Sequence, residues 1–286
     1  MPRPPRADEA GGLYHALNRG NGRQEIFHKS EDFAAFERVL AEGLASYDVT
    51  LFCFQLMPNH WHLVLRPNAD GELSRFMRWI TATHTMRYRA HYRTSGEGHV
   101  YQGRFKSFPI QDDAHFLTVC RYVERNAVRA GLVKQAEDWR WGSLWRWMQP
   151  ADPDPALLSP WPIPRSPNWV HRVNEPLTEQ QLSAIRKSAQ KGSPHGSLEW
   201  IEQAAARLGL ASTLRNRGRQ RIHLSTFQKS TTKTPTLSPD PFDLPLKRIK
   251  PSPVEEATAG VKRYRKLDKY IDIAPDGRII SFGCRQ

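Results

Sequence analysis

Two histidines, His60 and His62, flank Trp61 in a segment where apolar and polar residues alternate. In an extended strand, side chains two apart leave the same face, so both imidazoles project together while Trp61, Leu63 and Leu65 face the other way. Two convergent neutral imidazoles can hold a divalent ion. The pattern alone is not specific: eleven histidines in 286 residues give about 0.4 such pairs by chance, and two hydrogen-bonded structural histidines satisfy it equally. Sixty residues on, Tyr122 is followed one helical turn later by Asn126. On a helix, Phe116, Cys120, Val123 and Ala127 share an apolar face, and Tyr122 falls nearly opposite, beside His115, Thr118, Asn126 and Arg129. A phenol held off its helix's own apolar stripe, with an amide at i+4, suits a nucleophile whose ordinary pKa of about 10 is offset by a nearby cation or arginine. The same placement suits a tyrosine that only touches a DNA backbone.

The elements that must carry these residues follow from periodicity. Residues 13–19 alternate and are β-prone, then break at Gly20-Asn21-Gly22, which predicts a strand and a turn. Phe33, Phe36, Val39, Leu40 and Leu44 recur at helical spacing over residues 31–47. Residues 49–56 and 60–65 read as a hairpin joined through Met57-Pro58-Asn59; residues 73–92 as a second long helix; 104–110 as a strand; and 112–130 as a third helix stopped by Gly131. This β-α-β-β-α-β-α order predicts an antiparallel sheet with helices on one face, a ferredoxin-like α+β sandwich spanning residues 12–150. Prolines crowd residues 151–176, which read as a linker. Residues 177–221 read as a basic helical appendage: a helix from Thr178 to Lys191 with Thr178 and Gln181 at capping-box spacing, a second from Ser197 to Leu208, then Arg215, Arg217, Arg219 and Arg221. Residues 222–286 are rich in Ser, Thr, Lys and Pro and read as a disordered tail, with one small hairpin around Pro275-Asp276-Gly277.

Charge narrows the partner. The chain carries 42 Lys and Arg against 29 Asp and Glu, with a sequence pI near 9.9, a surplus that attracts polyanions and above all nucleic acid. Residues 1–150 are net +4 and residues 151–286 net +9, so the second half reads as an electrostatic anchor. No apolar run is long enough to span a bilayer, and residues 1–12 lack the apolar core of a signal peptide. Cys53, Cys120 and Cys284 are too scattered for a zinc knuckle and read as free thiols in a reducing cytoplasm.

Four blocks together carry a family resemblance: Tyr14-His15-Ala16-Leu17-Asn18-Arg19-Gly20, Met57-Pro58-Asn59-His60-Trp61-His62-Leu63-Val64, Gln102-Gly103-Arg104-Phe105-Lys106-Ser107, and Arg121-Tyr122-Val123-Glu124-Arg125-Asn126-Ala127-Val128-Arg129-Ala130-Gly131. In this order and spacing they resemble the REP-associated tyrosine transposases of the IS200-like, HUH single-strand nuclease superfamily. The likeness is close over residues 12–150 and looser from Gly192 to Arg219. It implies a ferredoxin-like palm, a Mg²⁺ or Mn²⁺ ion, and a 5′-phosphotyrosine intermediate on single-stranded or hairpin DNA. By position it makes Tyr122 the nucleophile and His60, His62 and Asn126 the metal ligands. The chain departs from many relatives at Ala127, where they carry proline after the asparagine.

Arg104 and Lys106 are candidates for DNA backbone contacts, with ordinary surface charge the alternative, and Arg215, Arg217 and Arg219 are further DNA-binding candidates. His84 and His91 read as DNA-facing or solvated. Trp139, Trp141, Trp145 and Trp147 read as cover for the palm, with base stacking the alternative. The pairs Asp112-Asp113 and Glu137-Asp138 read as helix-start and loop charges. Two other functions compete with a strand transferase: a domesticated protein that binds DNA hairpins without cutting, and a metal-dependent RNA or nucleotide phosphoesterase that forms no covalent adduct.

Overall fold

The structure is a computed structural model; it describes residues 6–151 and 156–215, and the backbone of three strands between 262 and 284. The chain divides into two compact units, Met1–Leu244 and Pro245–Gln286.

In the first unit, strand β1 (Leu13–Arg19) leads to helix α1 (Ser30–Ser46), the hairpin β2 (Val49–Met57) and β3 (His60–Pro67), helix α2 (Glu72–Tyr92) and strand β4 (Lys106–Ile110). The sheet order is β2-β3-β1-β4 with antiparallel neighbours throughout, the order expected of two interleaved βαβ units in a ferredoxin-like sandwich. Residue partners across β1 and β3 fix what shares a face: Leu17 opposes His62, Arg19 opposes His60, and His15 opposes Val64. Trp61, Leu63 and Leu65 therefore project to the other side with Tyr14 and Ala16, as the alternation predicts.

That other side is packed by α1 and α2. Phe33, Phe36 and Leu40 from α1 and Leu73, Phe76, Met77 and Ile80 from α2 form one core with it. The histidine-bearing face is covered too, which corrects the expectation of helices on one face only. Helix α3 (Ala114–Glu124) and the short α4 (Asn126–Arg129) lie on it, and α5 (Ser143–Trp147), α6 (Trp169–Asn174) and α7 (Glu179–Lys191) complete the cover. The physical reason is in the strands. Leu13, Leu17, Val64, Phe108 and Ile110 make that second face apolar as well, so it needs its own partners, Phe116, Val119, Cys120 and Val123 of α3 among them.

Two domain boundaries are corrected. Residues 151–176 are not a free linker: Leu157, Trp169 and Val173 are buried, the Trp161 indole N–H donates to the Phe52 carbonyl at 2.7 Å, and α6 lies within the span. The helical appendage is part of the same unit, because Leu177, Ile185 and Ala189 are buried in the second core. Its α7 has the expected reciprocal cap, with Thr178 and Gln181 bonded at 3.1 and 3.2 Å, and is followed by α8 (Leu198–Arg207) and α9 (Ala211–Leu214). In the second unit, β5 (Lys262–Lys266), β6 (Lys269–Ile273) and β7 (Ile279–Cys284) form an antiparallel sheet where a disordered tail was expected. The β-prone Tyr264, Tyr270, Ile271, Ile273, Ile279, Ile280 and Phe282 account for the strands. The small hairpin suggested around Pro275-Asp276-Gly277 falls on residues 274–278, which lie outside the described residues, as do residues 216–261. No helix among the described residues is long and apolar enough to cross a membrane.

Candidate functional site

The end of β1 and the start of β3 bring the histidine pair to one end of the sheet. Gly20 follows β1 there, and a side chain on it would collide with the Gln24 carbonyl, so the chain needs glycine to turn away from the site. His60 and His62 lie side by side with ring centroids 4.9 Å apart and nearly perpendicular planes. The His60 Nδ1 bonds the Asn59 side-chain oxygen at 2.6 Å. His62 bonds on both sides: its Nε2 meets the Asn126 amide nitrogen at 2.7 Å and its Nδ1 meets His15 Nε2 at 2.9 Å. Tyr122 completes the group, its ring edge-on to His62 at 5.9 Å and to His15 at 6.3 Å. The Arg129 guanidinium sits over the Tyr122 ring at 4.4 Å.

His60, His62, Tyr122 and Asn126 are thus in one place, and all four are buried. Tyr122 is thus packed, although the sequence sets it off its own helix's apolar stripe. A helical wheel registers only the helix's own apolar stripe, whereas here the flank carrying Tyr122 is covered by imidazoles of the sheet and by Arg129. Burial holds the His60 and His62 pKa values well below 6.5; the charges of Arg19 and Arg129 depress His60 further, and His62 also feels His60 and His15. Both rings are therefore neutral at pH 7 and keep a lone pair to offer. Among the described residues, no three His, Cys, Asp or Glu side chains are grouped to hold a metal ion.

Lys106 opposes Leu17, which itself opposes His62, so it starts on the same face two strands from the histidine pair and is exposed. Arg104 is exposed in the turn just before β4 instead of in the strand. Arg215 follows α9 and accepts a bond from Lys191 on its carbonyl, while Arg217 and Arg219 lie outside the described residues. The guanidiniums of Arg121 and Arg125 donate to the carbonyls of Arg172, Glu175 and Asn174, satisfying the C-terminal end of α6. His84 is buried, with Nδ1 bonded to the Tyr101 hydroxyl at 2.7 Å and its pKa lowered to about 4 by burial, which corrects the reading of it as DNA-facing or solvated. Its position one turn after Ile80 put it on the apolar stripe of α2. His91 is exposed and meets Lys29 at 3.0 Å. Trp139 and Trp141 do cover the first core, and Asp113 caps α3 as a helix-start charge. Cys53 and Cys120 are free and buried.

Sequence reasoning missed His15 and Glu124. His15 sits between Leu13 and Leu17 on the apolar alternation of β1, a polar residue where a hydrophobe is due, and that was the available signal. Glu124 is fully buried beneath α3, accepting bonds from Ser143 Oγ at 2.7 Å and the Trp169 indole at 2.8 Å. Burial raises its pKa to about 7, against the lowering effect of those two donors. A raised carboxyl pKa means the folded state binds the proton more tightly. Its stabilising contribution is complete below about pH 4.5 and is lost as pH rises through about 7. Glu124→Gln is therefore expected to match the unmodified protein near pH 4.5 and exceed it at pH 8 by about 1–3 kcal/mol in urea unfolding. Equal stabilities at pH 8 would show that the carboxylate is not held against its burial.

The search of curated proteins finds no match. Among solved structures, a REP-associated tyrosine transposase bound to a REP hairpin aligns at 19% identity, covering 53% of this chain and 90% of that one with a TM-score of 0.44. A putative transposase from Deinococcus radiodurans aligns at 14% identity, covering 39% and 88%, with a TM-score of 0.32. Residues 11–126 match the family model described as "Transposase IS200 like", a span that runs from β1 through His60 and His62 to Tyr122 and Asn126.

Proposed function

We propose that the chain is a metal-dependent single-strand DNA nickase and strand transferase, acting on hairpin DNA with Tyr122 as nucleophile. The observation that carries this reading is the convergence of Tyr122 and Asn126 with His62, some sixty residues away in sequence, on one buried group. The donor set suits Mg²⁺ or Mn²⁺: the neutral imidazoles of His60 and His62 and the amide of Asn126 would hold it. None of the three carries negative charge, and Arg19 and Arg129 stand close, so the scissile phosphate itself is the anion that completes the charge balance. When bound, the ion stabilises charge building on the phosphate oxygens.

The chain's own residues do the rest. The Tyr122 phenol loses its proton and attacks phosphorus in line, forming a P–O bond to the tyrosine as the bond to the 3′ oxygen breaks and that oxygen leaves as a hydroxyl. Attack by the same or another 3′-hydroxyl reverses the step without ATP. Arg129, stacked on the Tyr122 ring, is the cation that a DNA phosphate draws aside to uncover the phenol. Arg104, Lys106, Arg215, Arg217 and Arg219 supply backbone contacts for the strand.

The burial of Tyr122 favours one alternative, a domesticated hairpin-binding protein that no longer cuts. A single incubation separates the readings: single-stranded hairpin DNA with Mn²⁺, followed by denaturing electrophoresis. A covalent protein–DNA band is expected. Chelator should remove it, and His60→Ala should reduce it at least about tenfold at limiting metal. Binding without a band supports the domesticated binder, and cleaved product without a band supports a phosphoesterase; either outcome sinks the phosphotyrosine scheme.

A further inference from the structure

We infer that His15 is a positioning residue: it fixes which nitrogen of His62 carries the proton, and so whether His62 turns a lone pair toward Asn126. The inference rests on the metal-ligand reading of His62 above. His15 Nε2 and His62 Nδ1 are 2.9 Å apart, the two rings meet edge to edge with centroids 5.0 Å apart and planes within 16° of each other, and both side chains are buried. On its far side, His62 Nε2 lies 2.7 Å from the Asn126 amide nitrogen. That amide can only donate, so His62 Nε2 must accept and its single proton belongs on Nδ1. The Nδ1 proton then points at His15 Nε2, which must accept in turn, leaving the His15 proton on Nδ1. His15 Nδ1 is buried and has no hydrogen-bond partner among the described residues. The ligand-ready arrangement therefore contains one buried N–H with nothing to donate to, which disfavours it.

The opposite arrangement removes that penalty. If His15 donates from Nε2, His62 carries its proton on Nε2, the Asn126 amide turns its oxygen to meet it, and His15 Nδ1 holds only a lone pair. In that state His62 offers a cation nothing. Two tautomeric states of one hydrogen-bonded chain thus compete, and His15 is the switch between them, without any change in total charge. A divalent ion selects the first state because only that state gives it the His62 lone pair.

The test reads protons and metal affinity instead of turnover. In ¹⁵N-histidine-labelled protein, long-range proton–nitrogen NMR should place the proton of both His15 and His62 on Nδ1 once Mg²⁺ is bound. A His62 protonated at Nε2 with Mg²⁺ bound overturns the inference. In parallel, Mn²⁺ affinity is measured by water-proton relaxation. His15→Gln, which keeps an acceptor near the place of Nε2, should bind within about threefold of the unmodified protein, and His15→Phe, which keeps only the ring, at least about tenfold more weakly. Equal affinity in His15→Phe, or a His15→Gln as weak as it, removes the role; if His15→Phe does not fold, the NMR result on the unmodified chain decides. His60→Ala separates the two levels of the claim. Mn²⁺ binding lost in His60→Ala but unchanged in His15→Phe defeats only the inference about His15, whereas Mn²⁺ binding unaffected by His60→Ala defeats the metal site itself and this inference with it.

Discussion

Tyr122→Phe is expected to bind hairpin DNA within about twofold of the unmodified chain while losing covalent adduct and strand cleavage by roughly a thousandfold or more. The substitution removes one oxygen from the group against His62 and keeps the ring that fills the second core. Loss of the hydroxyl's hydrogen bonding costs about 1 kcal/mol of stability, too little to unfold a domain with two cores. A melting curve close to that of the unmodified protein, together with absent adduct, assigns the loss to chemistry. Undiminished cleavage by Tyr122→Phe would eliminate the phenol as nucleophile and leave a hydrolytic water in its place. Arg129 lies over the face of the Tyr122 ring and will stack on the phenyl ring of the variant as readily, so the substitution does not alter the cover of the site.

How far the sequence discloses this arrangement depends on the range of the interaction. The strands and helices of the palm are legible because their signals are local: the alternation at residues 60–65 and the three-and-four spacing of Phe33, Phe36, Val39 and Leu40 each appear within a few residues. The union of Tyr122 with the histidine pair is not local, and it reached the sequence reading through the four-block resemblance. Its burial was out of reach, since no pattern within α3 shows that sheet imidazoles and Arg129 cover the polar flank. The span 151–176 was misjudged for a different reason. Its prolines signal an irregular backbone, which is correct, but irregular chain can still be packed, and Trp161 and Trp169 were the residues that said so. Glu124 illustrates the same limit, because its partners Ser143 and Trp169 come from segments that the sequence assigned to different parts of the protein.

A chain ending at Pro150 is expected not to fold, although it retains His15, His60, His62, Tyr122 and Asn126. From sequence, the second half looked like an anchor whose removal would weaken DNA binding and flatten its salt dependence while leaving residual cleavage. The packing says otherwise. Trp169, Val173, Leu177 and Ile185 are all buried against Phe108, Phe116 and Val119 in the core beneath α3. At about 1.5–3 kcal/mol for each large apolar side chain, those four contribute about 6–12 kcal/mol, comparable with the whole net stability of an ordinary domain at about 5–15 kcal/mol. The cut also removes the Trp169 indole that donates to buried Glu124, and the carbonyls of residues 172–175 that receive Arg121 and Arg125. Two guanidiniums and a carboxyl on the helix that carries Tyr122 would lose partners together. Circular dichroism and urea unfolding of the 1–150 fragment should show no cooperative transition, whereas a chain ending at Arg215 should unfold cooperatively like the full protein. A cooperative 1–150 fragment that forms the covalent adduct would restore the palm as an independent domain and return the second half to the role of an anchor.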